Sequence, residues 1–252
     1  MMTRESAPTA LITGGSRGIG AATALALAER GYDSIITYRN KAARAEEVVA
    51  AIAAHGRRGL ALAADMTKAD DVAALFARAA AWADGLDLLI LNASGGLERD
   101  LLAEDPDYPT RLNRDAQLAT VDAASPLLRQ GSTIVFITSH WAHLYGRVTQ
   151  LPAYEAVAAS KHSGEIALRA RQEGLAERGI RLLVVTGDLI EGTITPKLLA
   201  RAAAAQGLAA DAPRDLPTAT EMGTAIAMAA LDRTLPSGHI TVVGRPLDTL
   251  DN

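Results

Sequence analysis

The sequence predicts an α/β fold, a doubly wound sheet of about seven parallel strands, and three observations carry that expectation. Short β-branched or leucine-rich runs alternate from end to end with alanine-rich stretches bearing apolar residues at three- and four-residue spacing. The strand runs are apolar throughout, as suits strands covered by helices on both faces. No repeat and no Pro- or Ser-rich linker interrupts the alternation, so all 252 residues read as one domain, 1–252.

The expected strands are Thr9–Thr13, Ser34–Tyr38, Gly59–Ala63, Leu86–Leu91, Thr133–Thr138, Arg181–Val185 and His239–Val243. The expected helices include Ala21–Arg30, Ala42–Ala54, Asp70–Trp82 and Met222–Leu231. Residues 1–8 carry one Arg and no apolar core, so a flexible N-terminus is expected rather than a leader. The alanine-rich stretch Leu199–Ala210 lies between a strand and the last helix. It reads as a helical part of a substrate lid over about 187–218.

Composition removes several function classes. Net charge is −4, and Lys and Arg are spread along the chain, so neither nucleic acid nor a membrane surface is an expected partner. With no cysteine, thiol nucleophiles, disulfides and thiolate metal sites are excluded, and no metal is assigned. No run approaches the roughly eighteen apolar residues of a membrane helix, and a cytoplasmic protein is the expectation.

In a doubly wound sheet, ligands bind beyond the carboxyl ends of the strands. The first strand runs into Thr13-Gly14-Gly15-Ser16-Arg17-Gly18-Ile19-Gly20 and then a helix. Its glycines let the backbone turn tightly and approach a diphosphate, whose charge meets the free N–H groups and positive dipole of the helix start. The second strand ends Tyr38-Arg39-Asn40, without the acid that would accept a bond from a ribose 2′-hydroxyl. Arg17 and Arg39 together suit a 2′-phosphate, so NADP(H) is expected over NAD(H).

The Gly-x-x-x-Gly-x-Gly spacing resembles that of the short-chain dehydrogenase/reductase family, and the resemblance covers nearly the whole chain. Asp65-Met66 looks like the family's adenine-facing acid and its neighbour. Leu91-Asn92-Ala93-Ser94-Gly95 looks like its Asn-Asn-Ala-Gly turn, and Gly238-His239-Ile240-Thr241 like the approach to its last strand. Asn113, Ser139 and Ser160-Lys161 fall in the order of its active-site Asn, Ser and Lys. The resemblance implies a Rossmann-type fold, a dimer or tetramer, and cofactor contacts at Asn92, Ala93, Ser94 and Lys161. It also implies that Gly187 and Ile190 close on the nicotinamide and that Thr193 meets its carboxamide.

In that family, a Tyr four residues before the Lys gives a proton to a ketone. The adjacent ammonium makes the phenol a better acid near neutrality. Here that position is Val157, in Tyr154-Glu155-Ala156-Val157-Ala158-Ala159-Ser160-Lys161. Tyr154 shares the helix face of Lys161 but lies about 10.5 Å away along the axis. It either reaches back into the pocket from the helix start or packs as a partly buried aromatic.

Between Ser139 and Val157 stand His140, Trp141, His143 and Tyr145, a concentration in a chain with 4% aromatics and five histidines. Strand alternation turns His140 away from Ser139, so His143 or Tyr145 is the better substitute acid, with no carboxylate partner evident for either. Asp188 and Glu191 add carboxylates near the pocket mouth, for proton transfer or for helix capping.

The expectation is an NADPH-dependent reductase of a small-molecule carbonyl. Ser139 polarises the oxygen, Lys161 holds the ribose and Asn113 supports a water, while the proton comes from Tyr154, a loop side chain, water or the substrate. An NADPH-holding subunit without turnover, or a non-redox cyclase or dehydratase, are the alternatives.

Overall fold

The computed structural model describes residues 7–97, 103–205 and 215–250. Seven strands form one parallel sheet: β1 Thr9–Ile12, β2 Asp33–Tyr38, β3 Gly59–Ala63, β4 Leu86–Leu91, β5 Leu128–Ser139, β6 Arg181–Gly187 and β7 Ile240–Val243. Their order is β3-β2-β1-β4-β5-β6-β7. The chain winds outward in one direction through β3 and in the other from β4, so a crevice opens between the ends of β1 and β4.

Eight helices carry the crossovers among the described residues: α1 Gly18–Ala28, α2 Ala42–Ala54, α3 Ala69–Trp82, α4 Ala116–Ala124, α5 Glu155–Arg169, α6 Gln172–Glu177, α7 Ile194–Ala205 and α8 Ala219–Leu231. Short turns precede α4 (Tyr108–Thr110, then a π-helical Arg111–Asp115) and follow β5 (His140–His143). Successive strand residues point to opposite faces, and this splits the core. Ile12, Ile36, Ile90, Val135 and Val185 pack with Leu27, Ile52 and Ile226 on one side. Leu11, Ile35, Leu89, Phe136 and Leu182 pack with Leu75, Phe76 and Leu168 on the other. All these side chains are nine-tenths buried or more.

Helices α1 and α8 cross closely because Gly223 lies against the backbone of Ala22 and Thr23, where a Cβ would collide. The expected fifth strand, Thr133–Thr138, extends at both ends. Leu128 pairs with Leu86 across an irregularity, and Ser139 pairs with Gly187 as its last residue. The alanine-rich stretch is helical through Ala205. Its remainder, together with residues 1–6 of the expected flexible N-terminus and 206–214 of the expected lid, lies outside the described residues.

A third apolar cluster sits beyond the strand ends. It joins Trp141, Val148, Tyr154, Val157 and Ala158 with the partly buried Leu97, Leu189, Leu199 and Leu250. Of these, Trp141, Tyr154, Val157, Leu97 and Leu189 wall the inner part of the crevice.

Candidate active site

At the β1 end, Gly14 and Gly18 have φ of +67° and +53°, conformations that glycine adopts without steric cost. Gly20 lies over the turn so closely that a Cβ would meet the Gly14 carbonyl oxygen. The turn is held from both sides. Gly14 N–H donates to Thr37 Oγ1 at 3.0 Å, and Asn92 Nδ2 donates to the carbonyls of Thr13 (2.9 Å) and Gly14 (3.1 Å). Asn92 therefore supports the turn through its amide, leaving little of it for a ligand. No side chain caps α1, so its first N–H groups face the cavity unspent.

That outer cavity has a volume of about 600 Å³. Gly14, Ser16, Arg17, Gly18 and Ile19 line it at the turn, Tyr38 and Arg39 at the end of β2, Asp65 and Met66 after β3, and Asn92, Ala93 and Ser94 after β4. Asn40 lines a neighbouring groove that shares Arg39 and Asp65 with this cavity. Burial alone would raise the Asp65 carboxyl. Hydrogen bonds from Thr67 and the charges of Arg39 and Lys68 outweigh that and hold it low.

The cavity narrows into an inner chamber of about 150 Å³, reached past Arg17, Ile19, Ser94 and Thr193. Gly187 and Ile190 line its β6 side, and Ser139, Tyr154, Val157 and Lys161 its α5 side. Tyr154 stands at the N-terminus of α5, buried, and its hydroxyl donates to Ser139 Oγ at 3.1 Å. Ser139 Oγ also accepts from the Ala142 N–H at 3.2 Å. A serine oxygen has two lone pairs. Both are engaged, so its own proton is left to donate into the chamber.

Burial pushes the Tyr154 phenol above its ordinary range, and the Ser139 hydrogen bond only partly offsets this. Burial also brings the Lys161 ammonium down to about 8. Its Nζ donates to Ser94 Oγ at 3.3 Å. Asn113 sits in the π-helical turn, a local widening frequent at functional sites. Its Nδ2 donates to the Gly95 carbonyl and to Ser160 Oγ, both at 2.9 Å, and its own carbonyl abuts Gly164 on α5. Asn113 thus ties the β4 loop to the helix bearing Lys161.

A family model for short chain dehydrogenase matches residues 8–202. The chain belongs to the short-chain dehydrogenase family. A hydroxynaphthalene reductase-like protein, Arp2, of Metarhizium anisopliae is 36% identical over 159 residues, which are 62% of this chain and 58% of the relative. The chain thus spans under two thirds of that relative's length. A 1-cyclohexenylcarbonyl-CoA reductase of Streptomyces collinus is 31% identical over 75% of this chain and 67% of the relative. Among solved structures, a short chain dehydrogenase from Burkholderia cenocepacia J2315 in complex with NADP is 30% identical. It superimposes with a TM-score of 0.78 over 96% of this chain and 98% of that one.

Within this family member, several side chains expected at the chamber lie elsewhere. His143 is buried against Glu165, with Nδ1 2.9 Å from Oε1, and Arg169 closes the cluster from one turn along α5. It therefore has a carboxylate partner, contrary to the expectation, and neither it nor Tyr145 lines the chamber. Tyr145 packs against the His162 ring at 5.8 Å. His140 is fully buried with Nδ1 3.0 Å from Thr186 Oγ1, on the side away from Ser139. Trp141, by contrast, lines the chamber.

Asp188 reaches the chamber wall, but Arg245 binds its carboxylate at 2.6 and 3.1 Å. Burial would raise that carboxyl, yet the Arg245 and Leu189 bonds keep it low, so Asp188 is a fixed anion rather than an acid. The Glu191 side chain is exposed, and its backbone joins Pro217 and Ala219. It is not among the described residues that line the chamber.

Among the cavity residues that escaped the sequence reading are two cations and a phenol. Arg44, in the first turn of α2, and Lys197, on α7, both line the outer cavity. A cation in the first turn of a helix opposes the dipole, and that local conflict was the available signal for Arg44. Tyr108 accepts from Arg39 Nη1 at 2.6 Å, a contact between segments 69 residues apart that no local pattern announces.

Proposed function

We propose that the chain is an NADPH-dependent reductase of a small-molecule ketone in which Val157 stands where the family's proton-donating phenol would be. The single observation that carries this reading is Ser139 Oγ, with both lone pairs engaged by Tyr154 and Ala142, beside Lys161 in a chamber continuous with the outer cavity. The outer cavity suits the dinucleotide: the uncapped start of α1 and the glycine turn for its diphosphate, and Arg17, Arg39 and Arg44 for a 2′-phosphate. The likeness to a solved relative in complex with NADP supports the same choice. NADPH, when bound, supplies a hydride to the carbonyl carbon.

The protein's own part begins with the Ser139 hydroxyl, which donates to the carbonyl oxygen and stabilises negative charge as it develops there. Tyr154 is a positioning residue for Ser139: its bond fixes the direction of the serine proton. Lys161 would hold the nicotinamide ribose, and Asn113 keeps its helix against the β4 loop. Gly187, Ile190 and Thr193 would border the nicotinamide. Trp141, Leu97 and Leu198 exclude water from the chamber and favour an apolar ring or chain on the substrate. We further propose that the chain forms a single domain, with α7 as part of the lid over the chamber.

Purified protein incubated with NADPH and a broad ketone panel tests the reading. Ketone-dependent loss of NADPH absorbance is the expected result. Tight NADPH binding with no oxidation by any ketone overturns it in favour of a non-catalytic subunit.

A further inference from the structure

The inner chamber poses a charge problem that the reductase reading leaves open. Among the described residues, its lining carries four ionisable side chains: Arg17, Tyr154, Lys161 and Asp188. Arg245 neutralises Asp188. Arg17 is exposed at the junction with the outer cavity. Lys161 is only 7% exposed, and its one hydrogen bond among the described residues is to a neutral hydroxyl, Ser94. A buried ammonium that faces no free anion among the described residues is poorly compensated. Ser139 and Lys161 together therefore offer donors to more than the one oxygen that a simple carbonyl supplies.

The protein's acids are also badly placed. Val157 presents hydrocarbon where a phenol would separate substrate from ammonium, and both Val157 and Lys161 line the chamber. Ionising Tyr154 would leave a buried phenolate in an apolar cluster with Trp141 and Val148, its hydrogen-bond partner among the described residues being the neutral Ser139 hydroxyl.

We propose, resting on the reductase reading, that this chamber takes a ketone carrying its own acidic hydroxyl on the β-carbon of a conjugated enol, or on an adjacent arene, and that Lys161 pairs with the oxygen which that hydroxyl becomes. Hydride from the reduced nicotinamide adds to the carbonyl carbon, and the C=O π pair moves onto oxygen, which Ser139 polarises. That oxygen takes the proton of the substrate's neighbouring enol or phenol O–H. The O–H bond breaks heterolytically, and the resulting enolate or phenolate stays beside the Lys161 ammonium until water reprotonates it on release. The nicotinamide is oxidised by two electrons and the carbonyl carbon reduced by two. The proton, carried by the enzyme in the family's usual arrangement, comes here with the substrate.

The test compares pentane-2,4-dione, largely in its internally hydrogen-bonded enol form, with pentan-2-one. The conjugated enol is intrinsically the less electrophilic, so a preference for it does not follow from reactivity alone. An internal acid should be worth about 10²-fold or more in kcat/KM. The Val157→Tyr variant should close much of the gap by raising turnover of pentan-2-one. A readout independent of turnover uses 4-nitrophenol with the cofactor-free protein below the phenol's solution pKa. Wild type should give the phenolate spectrum on binding, and Lys161→Met should not. Equal kcat/KM for the two ketones, or a bound nitrophenol that stays protonated in wild type, overturns the enol assignment while leaving the reductase reading intact. Failure of NADPH to be oxidised by either compound or by any other ketone overturns the reductase reading itself.

Discussion

Replacing Tyr154 by Phe removes one hydroxyl and keeps the ring that fills the cluster around Trp141 and Val157. What is lost is the 3.1 Å bond to Ser139 Oγ, a neutral contact with a buried donor. Such a bond is worth about 0.5–1.5 kcal/mol, which predicts a fall of roughly 2- to 12-fold in kcat. A general acid would be worth about 10²–10⁴-fold, so the size of the loss separates a residue that orients Ser139 from one that donates the proton. NADPH consumption at saturating cofactor gives kcat and the substrate KM, and a melting curve checks the fold. Because Tyr154 lies away from the outer cavity, the KM for NADPH should stay unchanged. A loss beyond 100-fold with an unchanged melting temperature would refute the reasoning and make Tyr154 the acid.

Arg39→Ala should weaken NADPH binding roughly 10- to 100-fold, the worth of a charge-assisted bond of about 1.5–3 kcal/mol, and leave NADH nearly unaffected by calorimetry. Rate should depend on pH through Lys161: its ammonium is present below about 8 and lost above, so kcat/KM should fall as pH rises through that value. Arg245→Leu strips the counter-charge from the buried Asp188 and should cost about 1–3 kcal/mol at neutral pH, read by denaturant unfolding. The Asp188 carboxyl is held below its ordinary value in the folded protein. The pair therefore stabilises above the ordinary carboxylate range, and the gap between variant and wild type should shrink as acid protonates Asp188.

The sheet was legible in the sequence because each strand is a short continuous apolar run and each crossover carries a helical period. All seven strands lie within a few residues of expectation except β5, whose start at Leu128-Arg129-Gln130-Gly131 has no apolar run to announce it. Positions fixed by backbone needs were equally legible: the glycines of the first turn, and Ser139 at a strand end. The failures concern side chains whose partners are remote in sequence. His143 finds Glu165 22 residues on, and Asp188 finds Arg245 57 residues on. Both pairs commit an apparent acid or base to a partner within the protein, and the Arg245 bonds make Asp188 a fixed anion. Tyr154 was left open for the same reason: helix geometry gives its distance from Lys161, whereas its bond to Ser139 depends on how the loop after β5 folds back.

The central claim, hydride delivery to a ketone carbon in a chamber without a phenol at 157, is tested most directly with NADPH deuterated at C4 of the nicotinamide and pentane-2,4-dione as substrate. Mass spectrometry of the product should find one deuterium on the new carbinol carbon, with label from one face of the nicotinamide only. Product formed without deuterium, or with oxidised cofactor in place of NADPH, would contradict the account and assign the fold to non-redox chemistry.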